Sequence, residues 1–400
     1  MDILNIFQQP AEDKSIVGYT YRHYKPFSPS ELSKGNEIRI PIQCSDLFLH
    51  LSEGYVYIEG EVSIATANGI VKSVKNSPFY LFENARLEIG GKCIDEVRDL
   101  GLIANLRNLL CKSGSESKAA SGVGWHPSDN NLSNNAKFDY CIPLKEIFPF
   151  CQDYNKIVVF VKPEIVLKRS STDNNCFFSE TNNEVVNVTL TSVYLSIPHV
   201  ELSPPHRLKF LKIIEQGRKI EMQFRAFKLF VFPKLPRTTS LYWQVQNFSL
   251  TNRPIFIIVA FSNNRANDLK KDNTHFDHLK LKNMKIFLNS QSLPYESQSF
   301  NFQNSKCSEA YKAFLDFRKF YLGRDENDSA ISFDNFQKNY PIFIFNRMFM
   351  EPVLKSGAID LRIEADFHEI IPSENVSAYC LAVCEESIVY NPLTNIVEKK

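Results

Sequence analysis

The sequence predicts an all-β chain of two tandem β-sandwich domains, each with one short excursion helix. Three observations carry this. Short runs of alternating polarity outnumber helical ones and are separated by turn residues, the pattern of a sandwich, a barrel or a jelly roll. The same order of runs occurs twice, roughly 200 residues apart. Each copy also holds an amphipathic helix at the same place. A propeller would need shorter repeats, of about 40–50 residues.

The stretch that fixes the comparison is 79–114. Leu81, Ala85, Leu87 and Ile89 point one way while Asn84, Arg86 and Glu88 point the other, the period of a half-buried strand. Gly90-Gly91 breaks it where positive φ costs little. Leu102, Ile103, Leu106, Leu109 and Leu110 then recur at helical spacing, with Gly114 as a stop. In the second copy Met284, Ile286 and Leu288 take the strand positions, and Asn289-Ser290 replaces the glycines. A helix packing Tyr311, Phe314 and Leu315 follows and ends at Gly323.

Taken in order, residues 1–36 are polar and irregular, with Pro10, Pro26 and Pro29, and read as an N-terminal arm. The first domain is expected over 37–201. Its strand 37–43, with Ile38, Ile40 and Ile42 alternating, pairs with 240–246, where Leu241, Trp243 and Val245 alternate. Val56, Ile58 and Gly60 are set opposite Phe256, Ile258 and Ala260. Residues 140–144 are set opposite 340–344, and Ile157, Val159 and Val161 opposite Ile359, Leu361 and Ile363. The run 186–197 is set opposite 376–388. Between helix and strand, 113–137 reads as a long Ser-, Gly- and Asn-rich loop, a length usually functional or mobile. Pro204-Pro205 marks the clearest boundary. A linker over 202–217 carries a short helix with Leu208, Leu211 and Ile214 on one face, and the second domain runs over 218–400. Its polar insertion is 263–275.

Four hundred residues are too many for one ordinary core and enough for two. A hydrophobic fraction of 44% with 32 Phe marks a packed chain rather than a disordered one. Lys+Arg 46 against Asp+Glu 45 leaves a formal charge of +1, without the basic excess of a protein that coats nucleic acid. The start of the chain lacks a secretory signal, and no run reaches the ~18 apolar residues of a membrane span. Nine scattered cysteines are expected to be free thiols in a reducing compartment. The Asn-X-Ser/Thr triplets at Asn131, Asn187, Asn247, Asn327 and Asn375 are read as chance.

Several stretches resemble a known family. They are Phe276-Asp277-His278 through Asn283, Ile286 and Leu288-Asn289-Ser290; Ser356-Gly357-Ala358-Ile359-Asp360; and Ser377-Ala378-Tyr379-Cys380 with Tyr390-Asn391-Pro392-Leu393-Thr394-Asn395. Met1–Gln9, Ile16-Val17 and Glu37–Ile42 are similar too. Together they look like the double jelly-roll proteins of invertebrate genomes, related to the major capsid proteins of Polinton/Maverick elements and adintoviruses. The resemblance implies two eight-stranded jelly rolls side by side. It also implies homotrimers of pseudo-hexagonal outline that tile an icosahedral shell, with a minor penton-type capsid protein as partner. The protein would reside in the virion, after assembly in the host nucleus or cytoplasm. Loops 113–137 and 263–275 would form an outer tower or subunit contacts, and 1–36 an arm under a neighbour.

No catalytic, cofactor-binding or metal-binding residue is assigned. His275 and His278 stand three apart, so on a strand they face opposite sides, and they read as exposed loop histidines. Cys380 and Cys384 share a strand face at roughly 13 Å, too far for a disulfide, and read as small buried hydrophobes. Gly90-Gly91 and Gly122-Val123-Gly124 lack the Lys-Ser/Thr of a phosphate loop. The electrostatic lead is the basic run Arg207, Lys209, Lys212, Arg218, Lys219, Arg225 and Lys228, a solvated face or a weak contact with packaged DNA. A structural self-assembling role is thus expected. The alternatives are a tandem-sandwich module binding carbohydrate or protein, for which Trp125-His126 is the one loop aromatic lead, and an enzyme on the same scaffold.

Overall fold

The computed structural model describes residues 15–28, 32–43, 48–66, 69–126, 130–179, 185–248, 252–289, 291–324, 328–347, 358–372 and 375–399. Met1–Gln9, Ser290, Ser356, Gly357 and Asn327 of the sequence reading lie outside them. The first half runs β1 (Ile16–Tyr24), β2 (Glu37–Pro41), β3 (Phe48–Leu49), β4 (Tyr55–Ile64), β5 (Ile70–Ser73), α1 (Ser77–Tyr80), β6 (Phe82–Ile89), β7 (Lys92–Arg98), α2 (Leu100–Cys111), α3 (Gly114–Ala119) and β8 (Asn130–Ser133). It continues through β9 (Ala136–Pro143), α4 (Leu144–Ile147), α5 (Pro149–Asp153), β10 (Val158–Val159), β11 (Pro163–Arg169), β12 (Phe177–Phe178) and β13 (Val186–Leu202). After α6 (Pro204–Glu215) come β14 (Ile220–Phe232), β15 (Ser240–Phe248), β16 (Pro254–Asn263), β17 (Leu281–Leu288) and β18 (Gln291–Leu293). Then follow α7 (Ser308–Leu322), α8 (Phe333–Asn339), β19 (Phe343–Asn346), β20 (Ile359–Phe367), β21 (Val376–Asn391) and β22 (Ile396–Lys399).

Eight strands in each half share one connectivity. In the first they are β1, β2, β4, β6, β7, β9, β11 and β13; in the second, β14 to β21. The first strand pairs with the eighth, the eighth with the third and the third with the sixth. The facing sheet runs second, seventh, fourth, fifth. Two such sheets wrapped over one core form a jelly roll.

This order corrects the arm. Ile16–Tyr24 is the first strand of the first roll, hydrogen-bonded antiparallel to β13 from Ile16↔Leu202 to Tyr24↔Leu195. Its exposed, irregular-looking sequence hid it: seven of nine positions face solvent, so no alternation shows.

Two of the paired positions also shift. Val56 and Ile58 point into the first roll, but in β16 the inward residues are Ile257, Val259 and Phe261. Phe261 meets Phe367 of the facing sheet at 5.7 Å, while Phe256 meets Phe317 of α7 outside it at 4.9 Å. A one-residue slip flips a strand's faces. It could not be seen because β16 is buried almost throughout. The counterpart of β20 is likewise β11, not Ile157–Val161: both occupy the seventh position of the order.

Local chemistry explains the turns. Gly90 and Gly91 both take positive φ (59° and 76°), closing β6 on β7. Asn289 does the same at 57° in the second roll. Gly323 caps α7 in the left-handed region. Gly114, by contrast, opens α3: Ser113 accepts the Glu116 N–H and the Glu116 carboxylate accepts the Ser113 N–H, so the expected loop begins with a capped helix. Pro204 and Pro205 sit in the first turn of α6, where a missing N–H costs nothing.

Candidate assembly surfaces

The two rolls share one hydrophobic core cluster, so the seam between them is a packed interface. Along it, β14 lies against α5 and β7. The Arg225 backbone N–H and Nε both donate to Asp153 Oδ2 at 2.8 Å, and the guanidinium lies 3.8 Å from the Tyr321 ring centre. Phe150 and Phe224 meet edge to face at 5.3 Å. Beside them Asp95 accepts the Phe150 N–H at 2.9 Å, and burial pushes its carboxyl up to about 7. A bulge between Leu87 and Glu88 turns both Ile94 and Asp95 inward.

Further along, α2 packs on α7. Asn105 donates to the Thr274 carbonyl at 2.9 Å, and Glu116 reaches Arg324 at 2.6 Å and Arg318 at 3.4 Å. Burial alone would raise the Glu116 carboxyl, but the Ser113 N–H and the two arginines hold it below its usual value. Lys75 donates to Tyr340 Oη at 2.8 Å and lies over the Tyr340 and Trp125 rings.

The insertion 263–275 belongs to this seam. The Asn267 N–H donates to Asn175 Oδ1, the Ser179 N–H to the Leu269 carbonyl, and Thr172 to Asn267. The sequence reading places this loop in an outer tower or a subunit contact; the structure ties it to the first roll of the same chain.

A family model of the double jelly roll-like domain matches residues 71–389. The chain belongs to that family. Among solved structures, PBCV-1 VP54, as fitted into a reconstruction of the virophage Sputnik, matches with a TM-score of 0.64 at 12% identity, over 99% of both chains. The Faustovirus major capsid protein matches with a TM-score of 0.61 at 10% identity, over 97% of this chain and 92% of that one. The mavirus major capsid protein matches with a TM-score of 0.59 at 12% identity, over 100% and 93%. At such identities the likeness shows the fold. No curated protein matches the sequence.

Within this double jelly roll the residues singled out from sequence disperse. His275 and His278 are half-buried, not exposed: one meets Tyr340 edge to face at 5.2 Å, the other stacks on Phe302 at 4.9 Å. Burial lowers the pKa of both. Cys380 and Cys384 are fully buried free thiols, and burial pushes Cys384 up to about 12. Trp125 is buried in the core, so it offers no loop platform. Gly124, at φ 88°, closes a tight turn against Pro78. Among the described residues no three His, Cys, Asp or Glu gather to hold a metal, and no helix is long and apolar enough to cross a membrane.

The basic run divides. Arg225 serves the seam, Lys228 pairs with Glu386 at 3.0 Å and Lys219 with Glu398 at 3.6 Å. Arg207, Lys209 and Lys212 on α6 stay exposed. Ile214 anchors that helix on Phe48, Val159 and Val200, while Leu208, expected on the same buried face, is exposed. The Arg225–Asp153 clasp and the buried Asp95 were missed from sequence. For Asp95 the available signal was an acidic residue inside the alternation Cys93, Asp95, Val97.

Proposed function

We propose that this chain is a structural, self-assembling major capsid-like protein whose trimers, pseudo-hexagonal in outline, tile an icosahedral shell. One observation carries the reading: two jelly rolls of identical connectivity stand in one chain, and the whole length is similar to major capsid proteins of Faustovirus and mavirus. Two similar rolls per chain convert a threefold ring into a nearly sixfold tile. The repeating units are rolls over about 15–202 and 218–399, joined by α6. No reaction is assigned to the chain. The affiliation with Polinton/Maverick elements and adintoviruses rests on the sequence resemblance. A minor penton-type protein as partner, residence in the virion and assembly inside the host cell extend the same reading. So does weak contact of α6 with packaged DNA.

Light scattering on the purified chain, followed by negative-stain imaging, tests it. The expected result is a stable trimer with hexagonal outline, forming shells as concentration rises. A monomer at every concentration overturns the proposal.

A further inference from the structure

A polar cleft of about 340 Å³ opens along the seam, and the proposed function leaves it unused. Crevices between domains are common places for small-molecule sites. The first roll supplies walls from β6, α2 and the stretch 170–175, the second from β14, β21 and the insertion 263–275. Phe82 is buried and Leu102 and Tyr379 are half-buried, whereas Ser171, Thr172 and Asn267 are exposed. Apolar walls thus lie below a polar rim.

The rim is held in place from both rolls. Thr172 donates to Asn267 Oδ1 at 3.0 Å, and the Asn267 backbone N–H donates to Asn175 Oδ1 at 2.6 Å. The Ser170 hydroxyl donates to the Tyr80 carbonyl at 2.9 Å. These bonds fix the amides yet leave the nitrogens of Asn175 and Asn267 without a partner among the described residues. The Ser171 hydroxyl, the Asn273 amide and the Asp99 carboxylate are unmatched in the same way. Glu83, at the same rim, is matched to Lys168 at 2.8 Å.

The unmatched groups are mixed: amide and hydroxyl donors stand beside amide and carboxylate acceptors. Among the described residues no Lys or Arg lines the cleft, and Asp99 and Glu83 repel a phosphate or sulfate. One unmatched carboxylate among neutral amides is not the donor set of a metal ion. Neighbouring hydroxyls, each donor and acceptor at once, are complementary to such a wall. The apolar C–H face of a sugar ring suits the flat side of a tyrosine. We propose that this cleft binds a neutral pyranose, its hydroxyls held by Asp99, Asn273 and the stretch 170–175 and its C–H face on Tyr379 and Leu102. The inference goes beyond the proposed function and does not depend on assembly.

The test is saturation-transfer NMR on the full chain with the methyl pyranosides of glucose, galactose, mannose, fucose and N-acetylglucosamine. Glucose phosphate and sialic acid serve as charged probes. Transfer to at least one neutral pyranoside is expected, with little to the charged sugars. Asp99→Asn keeps a residue suited to the left-handed φ of 53° and should weaken binding at least fivefold. Asn273→Ala should weaken it at least threefold. Ser171→Trp, on an exposed rim position, should abolish it with the thermal transition of the free chain kept. Tyr242→Ala, exposed on the other sheet of the second roll, should change nothing. The free reducing sugars are run alongside: binding by them alone supports a free sugar as ligand, and binding by the glycosides too supports the end of a glycan chain. Transfer to none of the neutral sugars overturns the inference, as does binding that survives Ser171→Trp or favours the charged probes. Should Ser171→Trp not fold, Asp99→Asn and Asn273→Ala decide. None of these outcomes bears on whether the chain assembles.

Discussion

Arg225 and Asp153 clasp the two rolls together: one carboxylate oxygen accepts both the Arg225 backbone N–H and its Nε, each at 2.8 Å. The Tyr321 carbonyl accepts a third bond from the same guanidinium. Truncating one partner of such a pair leaves the other charge desolvated and unmatched, which costs about 3–5 kcal/mol when burial is complete. Here the side chains keep 23% and 12% exposure, so Arg225→Ala is expected to cost about 2 kcal/mol. Arg225→Lys should recover only part, having lost the planar fork. Urea unfolding monitored by two probes, one in each roll, checks this. The native chain should show coincident transitions, and Arg225→Ala should separate them.

Asp95 makes seam stability pH-dependent. Its carboxyl titrates near 7 when folded and near the ordinary ~3.9 when unfolded, so between those values the folded chain holds the extra proton. Stability therefore falls as pH rises from about 4 to 7 and levels off above, by at most about 4 kcal/mol. Asp95→Asn keeps an oxygen for the Phe150 N–H and removes the titration. The variant should melt higher than the native chain at pH 8 and nearly equally at pH 4. An equal difference at both would mean that Asp95 is not the titrating group.

Gly124 is constrained twice. Its φ is 88°, and a Cβ there would stand 2.2 Å from Pro78 Cδ, in a turn whose carbonyl accepts the Asn76 N–H. Gly124→Ala combines a left-handed backbone with overpacking and is expected to cost about 3 kcal/mol. Gly122, with open space around its Cα and no positive φ, should accept alanine nearly without loss. Thermal melts of the two variants provide the comparison.

What was legible in the sequence follows from how each element is buried. Strands with one wet face, such as β2 and β6, alternate cleanly, so their inward residues were legible, although the reading over 37–43 overran β2 and Leu81 lies just before β6. β16 is sealed on both faces over most of its length, so its apolar run marked a strand but not which residues face inward, and its pairing slipped by one. β1 failed for the opposite reason: an edge strand with tyrosines outside and Thr20 and Arg22 on the other side carries no hydrophobic period. The seam was illegible because it joins residues 72 apart, Asp153 and Arg225, that no local pattern links. Charge patterning likewise could not tell which basic residues were already paired.

That last ambiguity has a measurable remainder. With Arg225, Lys228 and Lys219 matched to carboxylates, the run reduces chiefly to Arg207, Lys209 and Lys212 on one exposed helix. If these three meet phosphates, binding to duplex DNA should be weak, and log K should fall with log salt at a slope of about −3. Replacing all three by serine should bring the slope close to zero. Folding should persist, because α6 is held by Ile214 against Phe48, Val159 and Val200, not by its charges. Fluorescence anisotropy with a random duplex at several salt concentrations measures both slopes. An unchanged slope in the triple variant would assign any DNA contact to another surface and leave α6 a solvated linker.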